Sequence, residues 1–276
     1  MHSHWSLVLF TLLVQSVVGS VWCMQLALFF NGGEMDSFYI KYHSVVVLGL
    51  VLVGLAAAMA HLGTPCASYN AARNIKRSWL SREIMAVNLF AGVLAIMAAL
   101  AFINPGSLNQ WMVLAESMTG GMALYAMTHV YLLRTVPAWN HAGTPFTFIG
   151  STLLLGGALF TVLLNLFALT MNVGPSATHL AISQDIAFIV VLIGLILKVL
   201  AGGMYPYEKT VHTGPLKRLQ PVMQTIGIAL WAVSKLPTCR SGNFLTLFSL
   251  ATVILVAGEI VHRVQFYQNY HRVGLQ

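Results

Sequence analysis

The sequence predicts an all-α fold, a polytopic integral membrane helical bundle with eight transmembrane helices, and three observations predict it. Of the 276 residues 58% are apolar and only 8% are charged. Mean hydropathy is +0.78, and the apolar residues gather into membrane-length runs with short polar connections between them. Soluble domains carry about 25% charged residues, so the bilayer is the main solvent of this chain.

A spanning helix needs about 20 mostly apolar residues, and such runs occupy residues 5–30, 44–61, 84–103, 111–133, 147–171, 186–204, 221–236 and 244–262. The first lacks a cationic leader and exceeds a signal-peptide core in length, so it reads as a retained helix despite the small residues Gly19 and Ser20. The second and third flank the most charged segment of the chain, 61–83. The fourth carries Glu116, the fifth Asn165, the sixth Lys198 and the eighth Glu259. The seventh is the shortest, bounded by Pro221 and Pro237. No twin-arginine or lipidation signal is evident. Residues 1–276 therefore read as a single membrane domain, and catalysis outside the bilayer falls to other chains.

Basic residues divide unequally between the two faces. The connections after spans two, four and six, with the C-terminal tail, hold Arg73, Lys76, Arg77, Arg82, Arg134, Lys209, Lys217, Arg218, Arg263 and Arg272. The other side holds Lys41, Lys235 and Arg240. By the positive-inside rule both termini and the even-numbered connections face the cytoplasm; docking of an acidic partner would draw the same charges to that face. The same face repeats a short phrase, His61-Leu-Gly-Thr-Pro65, His141-Ala-Gly-Thr-Pro145 and His212-Thr-Gly-Pro215, which reads either as a trace of duplication or as ordinary Gly/Pro helix termination.

Cys23, Cys66 and Cys239 are far apart and form no C-x-x-C. An iron–sulfur cluster takes about four thiolates, so none is expected in this chain. Ionisable groups at membrane depth are costly, and few occur. Glu259 and Arg263 are four apart and suit an intrahelical pair; Lys198 suits snorkelling to its helix end; Glu116 lies near enough to the other face to reach interfacial water.

His61 and Glu83 differ from these. One ends span two and the other begins span three, so antiparallel packing puts them at the same depth on the same side, where they can flank one pocket. A quinol losing two electrons also loses two protons, and histidine and a boundary glutamate suit hydrogen bonding and proton acceptance. The structural alternatives are that His61 bonds backbone carbonyls and Glu83 neutralises Arg82 or the positive end of its helix. A bis-histidine haem would draw on imidazoles well inside two spans. His2, His4, His43, His141, His179, His212 and His271 fall in tails or connections, and His61, His129 and His262 at helix ends on the basic face.

The run His61-Leu62-Gly63-Thr64-Pro65, then Asn70-Ala71 and Ser78-Trp79-Leu80-Ser81-Arg82-Glu83-Ile84, resembles the membrane anchor subunit of bacterial dimethyl sulfoxide reductase. The resemblance covers the chain in length and eight-helix layout, with its specific wording concentrated in the first three spans and the connection after the second. It implies a complex in the bacterial inner membrane whose molybdopterin-containing catalytic subunit reduces the acceptor, whose ferredoxin-like subunit with four [4Fe–4S] clusters carries electrons, and whose anchor binds and oxidises menaquinol in anaerobic respiration. It implies His61 and Glu83 as quinol-site residues, and adds Arg73 and Arg82 as neighbours that orient Glu83 or meet the iron–sulfur subunit. No haem, iron–sulfur cluster or molybdenum is expected in this chain, and no nucleic acid among its partners. Two other classes fit an all-helical protein: a haem b-containing quinol-oxidising anchor, which an optical spectrum would reveal, and a secondary transporter, which would place broken helices and charge near the midplane. Here the charge gathers at one rim.

Overall fold

In hydrocarbon every backbone polar group needs an internal partner, so apolar runs of this length become helices even where Val, Ile and Phe would weaken one in water. The computed structural model describes residues 5–33, 35–61, 74–104, 109–171, 177–204, 216–236 and 244–268. Within them are eight helices: α1 (Trp5–Phe30), α2 (Ser37–His61), α3 (Trp79–Ile103), α4 (Gln110–Tyr131), α5 (Gly143–Met171), α6 (Ala177–Gly203), α7 (Leu216–Ser234) and α8 (Phe244–Gln268). The protein is a polytopic membrane helical bundle.

Most helices outrun the apolar stretches that mark them. α2 starts at Ser37 rather than 44, α3 at Trp79 rather than 84, and α6 at Ala177 rather than 186. Hydropathy marks the part in hydrocarbon, whereas helical hydrogen bonding continues into the headgroup layer until a cap ends it. Polar residues supply those caps: Asp36 accepts from the Phe38 amide at 2.8 Å, Ser78 from Ser81 at 3.3 Å, and Asn109 from Trp111 at 3.0 Å. Two placements are corrected: His43, expected in a connection, lies inside α2, fully buried, with Nε2 2.8 Å from Ser20 Oγ, and His179, also expected in a connection, lies in the first turn of α6.

Six helices are long and apolar enough to cross a membrane by length and composition. The other two, α4 and α7, are diluted by Glu116, Ser117 and Thr119 and by Lys217, Arg218, Gln220 and Gln224. At 1.5 Å per residue they still reach about 33 and 29 Å. Each pairs with a qualifying neighbour, α4 with α3 and α7 with α8.

α1 is the hub, packing against α2, α4, α5, α6 and α8. Small residues let backbones meet, as membrane helices without a hydrophobic drive to associate require. A Cβ on Gly19 would meet Gly156 Cα at 2.9 Å, and one on Gly194 would meet the Gly150 carbonyl at 2.8 Å, so α1 and α6 both lie close against α5. The start of α1 and the ends of α4, α6 and α8 gather at one end of the bundle, as contacts such as Tyr131–Tyr267 and Ser151–Glu259 show. The end of α2 joins them, because Gly54 packs on Phe10 and Leu13 near the start of α1. This is the basic end.

The connection 132–142 is folded onto that end and not left in water. Val136 and Trp139 are buried, Trp139 Nε1 donates to the Phe266 carbonyl at 2.8 Å, and the two rings stack at 5.2 Å. His141 then starts α5: its Nδ1 accepts from the Gly143 amide at 3.0 Å and its Nε2 lies 3.1 Å from the Ala138 carbonyl, to which it donates. Thr144 donates to the Trp139 carbonyl at 2.6 Å, and Pro145 sits in the first turn, where no amide is missed. This copy of the repeated phrase is thus a helix start. Residues 62–65 and 212–215 lie outside the described residues.

Burial pushes His141 below its ordinary value of 6.5, and the Gly143 bond needs an unprotonated Nδ1. A histidine lowered in the folded state leaves stability intact above 6.5 and removes it as pH falls below, because only the unfolded protein then gains the proton. Thermal unfolding in detergent should therefore weaken progressively below pH 6.5, and His141→Asn should flatten that dependence.

Candidate functional site

Between about 8 and 15 Å from the basic end, by residue count, five helices turn polar side chains into the core. On α8, Glu259 is fully buried. Its Oε1 takes the Lys198 ammonium of α6 at 2.5 Å and the Gln224 amide of α7; its Oε2 accepts from Ser151 of α5 at 2.7 Å. Lys198 also donates to Ser151 Oγ at 3.1 Å. This overturns two sequence expectations. Glu259 does not pair along its own helix with Arg263, and Lys198 does not snorkel but turns inward, since a carboxylate is within reach across the bundle and hydrocarbon rewards pairing.

Arg263, one turn on, is equally buried. Its Nη2 donates to Gln15 Oε1 of α1 at 2.5 Å, and the Gln15 amide donates in turn to the Phe148 carbonyl at 3.3 Å. The guanidinium lies over the Phe148 ring at 4.3 Å, a cation–π contact. Among the described residues Nε and Nη1 have no hydrogen-bond partner.

Nearer the rim stands an aromatic cluster of Tyr131, Trp139, Phe148, Phe266 and Tyr267. The Tyr131 and Tyr267 hydroxyls are 2.6 Å apart, with Tyr131 against Phe148 at 5.3 Å. Glu83, four residues into α3, is 5% exposed. Glu83 and Arg263 are both close enough to act electrostatically on the two tyrosines, so a carboxyl, a hydroxyl pair and a guanidinium share one region. Phenols, carboxyl and aromatic faces together suit a flat diol that loses protons.

The other residues proposed from sequence fall as follows. His61 closes α2 at the basic end, but its side chain lies outside the described residues, as does all of Arg73. Arg82 donates to the Ile75 carbonyl at 2.9 Å and the Lys76 carbonyl at 3.0 Å and covers the Trp79 ring at 4.2 Å. It clasps the turn that starts α3; the two ion pairs among the described residues are Lys198–Glu259 and Lys235–Asp185. Trp79 stacks on His129 at 4.3 Å, which meets Tyr125 at 4.1 Å. Glu116, expected to reach interfacial water, is instead fully buried in the other half of the bundle, with neither oxygen partnered among the described residues. Sequence reading missed Gln15, Tyr131 and Tyr267. A glutamine inside a 26-residue apolar helix was the one available signal; tyrosines at helix ends look like any interfacial belt.

Removing Lys198 would strand Glu259 in a dry interior. Lys198→Met should cost about 3–5 kcal/mol, and Lys198→Met with Glu259→Gln should recover most of it, read as reversible denaturant unfolding in detergent. Equal losses in the single and double variants would show that the pair is not the unit.

Comparison with known proteins gives this arrangement a context. Residues 1–268 match the family model described as DMSO reductase anchor subunit (DmsC). The protein is 29% identical over 275 residues to the YnfH subunit of anaerobic dimethyl sulfoxide reductase of Escherichia coli K12, covering 98% of this sequence and 96% of that one. It is 26% identical over 290 residues to the C subunit of anaerobic dimethyl sulfoxide reductase of the same organism, with the same coverage of 98% and 96%. The C subunit of the Haemophilus influenzae anaerobic dimethyl sulfoxide reductase is 32% identical over 154 residues, 55% of this sequence and 54% of that one. The protein, matched over nearly its whole length, belongs to the DMSO reductase anchor subunit (DmsC) family.

Proposed function

We propose that this anchor subunit binds menaquinol at its basic end, oxidises it, and passes the electrons to an iron–sulfur subunit of the complex in the bacterial inner membrane. The observation that carries the reading is the buried carboxyl of Glu83 beside the Tyr131–Tyr267 hydroxyl pair, at the bundle end where α2 brings His61. The electron carrier, a ferredoxin-like subunit with four [4Fe–4S] clusters, and the molybdopterin catalytic subunit that reduces the acceptor are partners; the anchor supplies the quinol pocket and the hold on the bilayer.

Oxidation of one quinol breaks two O–H bonds and releases two protons and two electrons. In this reading His61 hydrogen-bonds one ring oxygen and Glu83 accepts a proton from the ring hydroxyl, hands it to water at the basic rim, and is ready for the second. The electrons leave singly to a cluster in the docked partner. Burial keeps bulk water from the carboxyl, which strengthens its interaction with a nearby O–H. Arg82 supports this indirectly by fixing the turn before α3, and Arg73 and the neighbouring basic residues form the surface for the electron-carrying partner.

The test uses membranes carrying the whole complex. Glu83→Gln removes the base and keeps its size, so menaquinol-analogue oxidation should fall by about 10²- to 10⁴-fold, the range a positioned acid–base group contributes, while an artificial donor to the soluble subunits still supports acceptor reduction. Oxidation of the analogue at the normal rate by an assembled Glu83→Gln complex would refute the assignment.

A further inference from the structure

Glu83 has to release one proton before it can take a second, yet it is only 5% exposed. Another group has to carry the proton to the rim. Two contacts between α3 and α4 show which side chain is next in line. Trp79 stacks on His129 at 4.3 Å, and Gly120 faces the Phe90 ring, so the register of these antiparallel helices is fixed. Glu83, one helical turn on from Trp79, then lies level with residues 125–127 of α4, and His129 stands about 3–6 Å nearer the rim along the axis. Trp79 and Glu83 are neighbours on one face of α3. The indole on which His129 stacks is thus the next side chain rimward of the carboxyl on that face.

His129 is arranged to receive a proton. Its Nδ1 lies 2.9 Å from the Tyr125 carbonyl oxygen, and a carbonyl only accepts, so Nδ1 carries the hydrogen of the neutral ring. Nε2 therefore keeps its lone pair, with no hydrogen bond to a described residue. Contact with Trp79 on α3 and with the Tyr125 ring at 4.1 Å holds the imidazole in place, and protonating Nε2 breaks none of these contacts. The residue is half-buried, so it meets both the interior and the rim. The other groups at this end are placed differently. Arg82 and Arg134 stay charged and give up no proton, and Arg82 is engaged with the Ile75 and Lys76 carbonyls. His141 has both ring nitrogens bonded, Nδ1 of His262 is buried, and the Tyr131 and Tyr267 hydroxyls bond each other.

We propose that His129 is the proton-exit residue of the quinol site: its Nε2 takes the proton from Glu83 across one water and delivers it to the water at the basic rim. The proposal rests on the reading of Glu83 as base. In the transfer the carboxyl O–H breaks, the bridging water passes one proton on, and an Nε2–H bond forms, leaving a carboxylate and an imidazolium. The imidazolium then gives its proton to bulk water, and both groups are as they began. Two hydrogen bonds in line through a water cover about 5–6 Å, enough to span the axial offset, and imidazole is the side chain that exchanges protons near neutrality.

The test measures menaquinol-analogue oxidation in membranes with the assembled complex, normalised to acceptor reduction from an artificial donor, with and without added imidazole. His129→Gln keeps the size of the side chain and removes the proton carrier, so oxidation should fall by about 10²-fold, the lower end of what a positioned acid–base group contributes. Imidazole in the buffer should restore most of the rate, because a diffusible carrier then does the work of the missing ring; a merely structural role would not respond to it. Glu83→Gln should be slow with or without imidazole. Trp79→Leu, which keeps His129 and frees its ring, should give a smaller loss that imidazole also relieves, and it decides the matter if His129→Gln does not assemble. A normal rate in assembled His129→Gln, or a lowered rate in these variants that imidazole leaves unchanged, would overturn the proposal and leave Glu83 as base. A Glu83→Gln complex that oxidises the analogue normally would instead remove the reading on which it rests.

Discussion

The Lys198–Glu259 ion pair is the contact on which the basic half of this molecule depends. It draws together α5, α6, α7 and α8 through Ser151, Lys198, Gln224 and Glu259, at a depth where no water replaces a lost partner. Elsewhere α7 relies on its hairpin partner α8 and touches α6 only lightly, so the bond from Gln224 ties the α7–α8 hairpin to the rest. Hydrophobic burial gives little reason for helices to associate in lipid; close packing and polar contacts have to supply it. The small-residue contacts of Gly19 with Gly156 and Gly150 with Gly194 supply the first, and the buried pair supplies the second.

Because Lys198 claims Glu259, Arg263 is turned toward Gln15 and the aromatic cluster. That single allocation of partners gives the basic end its character. It leaves a cation near the two tyrosines, and it makes the C-terminal end of α8 part of the same region as the start of α3, although the two helices are far apart in sequence. The connection 132–142 completes the enclosure by placing Trp139 against Phe266. Buried charged groups and aromatic rings thus lie together near the basic end, which suits the proposed proton release by a lipid-soluble diol.

Much of the fold was legible in the sequence because the bilayer imposes a length and a composition on each helix. Eight apolar runs became eight helices, with some starts moved outward where polar caps such as Asp36 and Ser78 extend them. The shared basic face was partly legible, since charge in connections is counted without knowing any contact, but Arg263, counted there with the C-terminal tail, is fully buried inside α8. Partner choice was not. Spacing along α8 offered Arg263 to Glu259, and nothing local could reveal that Lys198, 61 positions away, would reach the carboxylate first. The burial of Glu116 and His43 was hidden for the same reason, because depth within a bundle is decided by neighbouring helices. Glu83 was singled out through its place at a helix start; Tyr131 and Tyr267 became visible only when the ends of α4 and α8 were seen to meet.

The central claim is that quinol is oxidised at the basic end, beside Glu83. Photolabelling of the assembled complex with an azido-menaquinone analogue, followed by peptide mapping, tests it most directly. The account predicts label on the start of α3 and on the ends of α4 and α8, competed by unlabelled menaquinol analogue. Competed label confined to the other half of the bundle, around Glu116 or His43, would contradict it.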